Sequence, residues 1–310
     1  MLESLNAEVL RYAQDDSVVR LLPQPHKHRS PDDTAVPQAF APMASSKHPK
    51  LGQHFLHDVG YRQRILAELP LRADELVIEI GPGRGAMTGL LAERARKVVA
   101  IEIDPALAAR LAEEFASEPR VAIVTQDILA VDIAALLKQH DTSECFVFGN
   151  LPYYITSPIL HHLFRFRALI RGMGLLMQRE VAERLTAKPG SRDYGYLTIA
   201  TQVHSEPRIA LAVPPGAFSP PPQVHSALVT FTMRSRWHEW TPAQTGEFLE
   251  FAKRCFAQKR KNLLNNLAGL CSRARVEAAL ATIGQRATVR AEQLSLEHLA
   301  AVFQSLNKLT

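Results

Sequence analysis

Glu79-Ile80-Gly81-Pro82-Gly83-Arg84-Gly85 sets three glycines at alternate positions, with an acid two residues before the first. Glycine allows a sharp turn and a close approach to a ligand, because no Cβ stands in the way. The spacing is Gly-x-Gly-x-Gly, not the Gly-x-Gly-x-x-Gly of dinucleotide-binding turns. Pro82 also removes one backbone N–H that a pyrophosphate could use. Such a loop suits a ligand without phosphate, such as S-adenosylmethionine, its methionine portion passing over the turn. Taken alone, the same residues also make a plain strand-to-helix turn. Two further acids favour the cofactor. Glu102 follows Gly85 by 17 residues and ends an apolar run, where a carboxylate can accept both hydroxyls of a ribose. Asp127 ends the next apolar run and can accept from an adenine amino group, with Ile128 as an apolar wall.

Asn150-Leu151-Pro152-Tyr153 carries a different chemistry. The amino nitrogen of adenine is a poor nucleophile, because its lone pair is delocalised into the ring. Two acceptors aimed at its hydrogens favour a pyramidal nitrogen with a localised pair. The Asn150 side-chain oxygen and the Leu151 carbonyl can be those acceptors. Pro152 fixes the chain and holds Leu151 extended. Tyr153 can stack on a base taken out of its helix. Methyl transfer is then an in-line displacement at a sulfonium methyl, helped by proximity and orientation. It needs neither a metal nor a covalent nucleophile. The bland reading of these four residues is a strand-ending turn beside a core tyrosine; the loop and both acids tell against it.

Strand ends must hold these residues in register. Leu76–Ile80, Lys97–Ile103, Val121–Thr125, Cys145–Phe148 and Gly174–Met177 read as strands. Helical patterns run between them: from Asp58 as N-cap to Leu69, Ala86–Arg96, Ala106–Ala116 behind Pro105, Ile133–Gln139, Ser157-Pro158 to Phe166, and Arg179–Ala187. That alternation means βαβ units and a parallel sheet, an α/β fold. Ile209–Val213 and Ala227–Thr232, framed by prolines, read as antiparallel edge strands. After Trp237 the strands stop, and helices are expected at about 242–257, 260–269, 274–283 and 295–306. Thr241-Pro242 with Gln244 forms a good start for the first of them. Residues 23–50 hold six of the 20 prolines among Ser, His, Gln and Asp, a disordered composition. The expected division is a leader over 1–46, an α/β domain over 47–235 and a helical domain over 236–310. Met43 offers an alternative translation start, which would leave residues 1–42 outside the natural protein.

In this order, Gly52-Gln53-His54-Phe55-Leu56, the Glu79–Gly85 loop, Asn150–Tyr153 and Phe218-Ser219-Pro220-Pro221-Pro222-Gln223-Val224 resemble the ribosomal RNA adenine dimethyltransferases, over about residues 47–306. The likeness is strongest to the bacterial small-subunit branch. It implies a Rossmann-like S-adenosylmethionine-dependent methyltransferase domain with a small C-terminal all-helical domain. It implies two methyl groups on N6 of each of two adjacent adenosines near the 3′ end of 16S ribosomal RNA. The partner implied is that RNA within an immature small subunit, met by a cytoplasmic monomer. The resemblance places cofactor contacts at His54, Leu56, Gly81, Glu102, Asp127 and Asn150; Gln53, Glu79, Gly83, Gly85 and Ile128 complete the expected cofactor set. Position 54 is often Asn in the family; His54 keeps a polar side chain there. Tyr153 and Phe218 match the aromatic pair expected to sandwich the target adenine. Tyr154 receives no role.

Charge agrees with an RNA partner. The 310 residues carry a net +5, but residues 1–46 hold −2, residues 47–231 +1 and residues 232–310 +6. Lys253, Arg254, Lys259, Arg260 and Lys261 are five cations in nine residues without an acid, suited to phosphates more than to base edges. A solvated basic helix junction is the plain alternative. Apolar residues at 46% and charged residues at 22% give a sizeable core and exclude a wholly disordered chain. Cys145, Cys255 and Cys271 form no Cys-x-x-Cys pair, and the 12 histidines have no zinc spacing, so reduced thiols and no metal are expected. No apolar run of about 20 residues is present for a membrane span. Three competing readings remain open: a large-subunit rRNA methyltransferase of the macrolide-resistance type, a non-catalytic RNA-binding or assembly factor on the same fold, and an NAD-dependent enzyme. The glycine spacing disfavours the last.

Overall fold

Asp58 starts the first helix by accepting from the Tyr61 N–H at 2.9 Å, as expected of an N-cap. The computed structural model describes residues 54–234, 236–237 and 239–307. The expected leader, its boundary at residue 47, and Gln53 lie outside these. In chain order the first half comprises β1 (Phe55–Leu56), α1 (Val59–Glu68), β2 (Leu76–Ile80), α2 (Thr88–Arg94), β3 (Lys97–Glu102), α3 (Pro105–Glu114), β4 (Val121–Thr125), α4 (Ile133–Gln139) and β5 (Cys145–Asn150). Then come α5 (Thr156–Arg165), β6 (Ile170–Gln178), α6 (Arg179–Leu185), α7 (Tyr196–Gln202), β7 (Ser205–Val213), β8 (Phe218–Ser219) and β9 (Ser226–Met233). The C-terminal part holds α8 (Pro242–Cys255), α9 (Leu263–Asn266), α10 (Arg273–Thr282) and α11 (Leu296–Asn307).

The main sheet has seven strands in the order β4-β3-β2-β5-β6-β9-β7. From β4 to β6 every pairing is parallel; β9 runs antiparallel to both β6 and β7. Every residue of β2 is buried, as a strand covered on both faces requires. Ile78, Ile101, Val147 and Leu163 pack in one core; Val77, Val98, Phe146 and Leu91 pack in another. From β2 the chain winds outward through β3 and β4; from β5 it winds the other way. The switch point lies between β2 and β5, the place where open α/β sheets take ligands. Gly81 and Asn150 stand at those two strand ends.

A third core joins Phe248, Phe251, Leu280, Leu299 and Phe303 of the helical part to Tyr194, Ile199 and Val203. Several expectations shift. β6 begins at Ile170, four residues before the expected Gly174. A Cβ at Gly174 would collide with Leu69, so glycine here lets the end of α1 settle on the sheet. Ser157 and Pro158 lie inside the first turn of α5 rather than capping it. The stretch expected as a helix from 260 is a turn up to Asn262, and α9 spans four residues only. β1, β8 and α7 had no sequence expectation. Among the described residues, no helix is long and apolar enough to cross a membrane.

Candidate active site

The loop after β2 turns through positive φ at Gly81 (63°), Gly83 (59°) and Gly85 (75°). Each glycine N–H is used within the protein. Gly81 donates to Ile101 O at 3.0 Å, Gly83 to Glu102 Oε2 at 3.0 Å and Gly85 to Pro82 O at 2.9 Å. Pro82 has none to give. The glycines therefore offer no N–H to a phosphate, which separates this loop physically from dinucleotide cradles. A Cβ on Gly83 would stand 2.9 Å from the Phe55 ring, so only glycine lets β1 lie across the loop. Arg84 in turn covers that ring, its guanidinium carbon 4.6 Å from the centroid.

The acids are held differently. Glu102 is buried, and its two oxygens accept from Gly83 N and Asp104 N, each at 3.0 Å. Those two bonds fix the carboxylate plane at the end of β3 and leave lone pairs on both oxygens. Burial still raises its pKa, against the pull of the backbone donors. Asp127 accepts from Leu129 N at 2.9 Å with one oxygen and keeps the other. Ile128 beside it is buried. Glu79 lies 2% exposed and accepts from Thr88 Oγ1 at 2.6 Å. Its pKa is pushed up to about 7, chiefly by burial, with Thr88 opposing and Glu102 adding. Ile103, absent from the sequence-based set, is 50% exposed directly after Glu102. An exposed β-branched residue following a strand-end acid is the signal that could have found it.

Asn150, Leu151 and Tyr153 meet β1 and β8 on the other side of the switch point. Leu56 pairs with Phe218 and Phe55 with Ser219, so two motifs far apart in sequence form one antiparallel ladder. Asn150 Nδ2 donates to His54 O at 3.0 Å. That bond sets the amide orientation and, among the described residues, leaves Oδ1 without a donor. Leu151 N donates to Leu176 O at 3.0 Å, while the Leu151 carbonyl accepts from no described residue. The Pro152 carbonyl accepts from Ile155 N at 3.2 Å and Thr156 Oγ1 at 3.3 Å, which secures the turn. Tyr153 hydrogen-bonds through its hydroxyl with buried Ser226 at 2.8 Å, and its ring faces His54. Burial raises the Tyr153 pKa, so the phenol stays protonated at neutral pH.

Phe218 departs from expectation. It is 2% exposed and packed in the core with Leu56, Met87 and Leu91, so it presents no open face to a base. Its β-ladder with Leu56 turns the ring inward. The basic residues lie at the end of α8 and in the turn after it. Lys253 is half-buried near the end of α8, and Arg254 is exposed. Lys259, Arg260 and Lys261 are exposed in the following turn and form no ion pair among the described residues. Asn266 Nδ2 braces that turn by donating to Cys255 O at 2.7 Å and Gln258 O at 3.2 Å.

Comparison with known proteins gives the chain a family. The model of the family described as ribosomal RNA adenine dimethylase matches residues 44–308. A protein of Acidobacterium capsulatum named ribosomal RNA small subunit methyltransferase A is 47% identical over 264 residues, 84% of this chain and 92% of the relative. Its namesake in Geobacillus thermodenitrificans is 41% identical over 267 residues, covering 84% and 90%. Among solved structures, a 23S rRNA methyltransferase is 30% identical with a TM-score of 0.64, covering 82% of this chain and 99% of that one. A dimethyladenosine transferase from Plasmodium falciparum has a TM-score of 0.67 at 21% identity, covering 82% and 98%, and shares the fold. With a family model spanning all the described residues, and relatives this similar over most of their length, the chain belongs to the ribosomal RNA adenine dimethylase family.

Proposed function

We propose that this chain transfers methyl groups from S-adenosylmethionine to N6 of adenosines in small-subunit ribosomal RNA, two on each of two adjacent adenosines near the 3′ end of the 16S RNA. One observation carries the reading. The Asn150 amide nitrogen is engaged on His54, so that, among the described residues, Oδ1 and the Leu151 carbonyl beside Tyr153 accept from no donor. An adenine amino group has two hydrogens to place on two such acceptors.

When bound, S-adenosylmethionine supplies an electrophilic methyl group on a sulfonium sulfur. The residues present fit its adenosyl part. Glu102 would accept the ribose hydroxyls and Asp127 the adenine amino group, between Ile128 and Ile103. Leu56, Glu79 and the three loop glycines would bound the methionine part, where no phosphate donor is on offer. On the substrate side, Asn150 Oδ1 and the Leu151 carbonyl would accept from the N6 hydrogens and localise its lone pair. Tyr153, its hydroxyl tied to Ser226, would hold the base plane. We assign residues 47–235 to the transfer and residues 236–310, through Lys253, Arg254, Lys259, Arg260 and Lys261, to the RNA scaffold. The protein acts in this reading as a cytoplasmic monomer on an immature small subunit. The 47% and 41% identities to proteins named for the small subunit support that choice over the large-subunit alternative.

The test is methyl-labelled cofactor given to purified protein with immature small subunits or with large-subunit RNA. Label is expected as N6,N6-dimethyladenosine in the small-subunit RNA, and Asn150→Ala should lower the rate by about 10²-fold or more. Label confined to large-subunit RNA overturns the substrate. Absence of label in either RNA leaves a non-catalytic RNA-binding role.

A further inference from the structure

We propose that His162 is a positioning residue for the cofactor: from α5 it holds in place the turn that presents Asp127 and Ile128 to the adenine ring. The inference rests on the reading of Asp127 as the acceptor for that ring's amino group, and adds what keeps the acceptor where it stands.

The turn is held at its two ends. At the entry, Gln126 N donates to Glu102 O at 3.0 Å, which ties the end of β4 to β3. Inside the turn the bonds are local. Asp127 Oδ1 accepts from Leu129 N at 2.9 Å and the Asp127 carbonyl from Ala130 N at 2.9 Å, closing the short turn Ile128–Ala130. Local bonds shape a turn without fixing where it stands. At the exit, Ile128 and Val131 share a core with Ile159 and Leu163 of α5, a contact without direction. His162 adds the direction. Its Nε2 lies 3.0 Å from the Val131 carbonyl oxygen. A carbonyl only accepts, so Nε2 carries the hydrogen and donates. The residue is 8% exposed, and Phe166 stands edge-on to its ring at 5.2 Å between centroids. Burial holds its pKa below the usual imidazole range, against the pull of the Val131 carbonyl, so the ring is neutral at neutral pH. α5 itself begins at the substrate turn, where Thr156 Oγ1 donates to Pro152 O. One helix therefore runs from the Asn150 turn to the Asp127 turn, and His162 is where it grips the second.

A positioning bond and plain core packing respond differently to substitution. His162→Phe keeps a ring in the core and removes the donor. His162→Gln loses the ring and keeps an N–H at a similar reach. Each variant is measured for the Kd of S-adenosylmethionine by calorimetry, for kcat at saturating cofactor, and for thermal melting. His162→Phe is expected to raise the cofactor Kd about 10-fold, the scale of leaving one buried acceptor unpaired. Its kcat at saturating cofactor should stay within about 2-fold, since the loss is one of binding. His162→Gln should recover most of the affinity. In an Asp127→Ala background, His162→Phe should weaken binding little further, because it acts through that residue. In the wild-type protein, nitrogen NMR of the imidazole should show the Nε2–H tautomer. The Nδ1–H tautomer overturns the proposal without recourse to a variant. So does a folded His162→Gln that binds no better than His162→Phe, or a loss in His162→Phe that persists undiminished beside Asp127→Ala. Asp127→Ala with wild-type Kd fails the reading of Asp127, and the proposal with it. A weakened Asp127→Ala beside an unaffected His162→Phe fails the proposal alone.

Discussion

Among the described residues, Glu79 has one hydrogen-bond donor, the Thr88 hydroxyl, and no cation against it, and it lies 2% exposed. Burial lifts its pKa from 4.5 to about 7. A folded value above the unfolded one means that the folded chain binds more protons between those limits. Stability is therefore fully retained below about pH 4.5, falls as pH rises through the window to about 7, and is level beyond it. At 1.36 kcal/mol per pKa unit the whole effect is about 3 kcal/mol. Glu79→Gln keeps an acceptor for Thr88 and removes the charge. Its stability relative to wild type should climb by up to about 3 kcal/mol between pH 4.5 and 7 and then stay flat. Urea unfolding across that range is the measurement, and a difference that does not vary with pH would refute the assignment. The acid at position 79 was legible in the sequence. Its protonation was not, because that depends chiefly on how deeply the fold buries it, with Thr88 opposing and Glu102 adding.

Elements with local causes were the legible ones. Thr241 Oγ1 accepts from Gln244 N at 3.2 Å, and Thr241 N donates to Gln244 Oε1 at 2.8 Å, the reciprocal pair expected from Thr241-Pro242 and Gln244. Pro105 opens α3 and the β2 run Leu76–Ile80 appears with its expected bounds for the same reason: each signal is complete within a few residues. β1 and β8 have two residues apiece, and neither has a pattern of its own; their ladder exists only because Leu56 meets Phe218. That ladder also buried Phe218 and brought His54 to Tyr153, which spacing along the chain could not reveal. α7 was missed because its apolar positions answer to a core made mainly of later helices. The local cases have local costs. Thr241→Ala should lower the unfolding free energy by about 1 kcal/mol through the start of α8. Denaturant melts should show the shift with an unchanged slope; a loss near zero would mean that packing against Trp240 and Phe303 alone sets where α8 begins.

At the scale of the whole molecule, charge and chemistry are separated. Residues 47–231, which hold the Glu79 loop and the Asn150 turn, carry +1, whereas residues 232–310 carry +6. Lys259, Arg260 and Lys261 project from a turn whose shape is fixed by Asn266 donating to Cys255 O and Gln258 O. All three cations are exposed in that turn, whereas successive residues of a helix are spread around its axis. Phosphate contacts position an RNA without reading it, and each one adds to the salt dependence of binding. Replacing Lys259, Arg260 and Lys261 by Gln should weaken binding to small-subunit RNA more than about 10-fold near physiological salt and reduce the log–log salt slope by about 2–3. Cofactor affinity should not change, since the three belong to the turn after α8 and not to the glycine loop or the strand-end acids. Binding isotherms at several salt concentrations decide it. An unchanged slope would show that these cations face solvent, and that the net charge of the helical part serves solubility rather than grip.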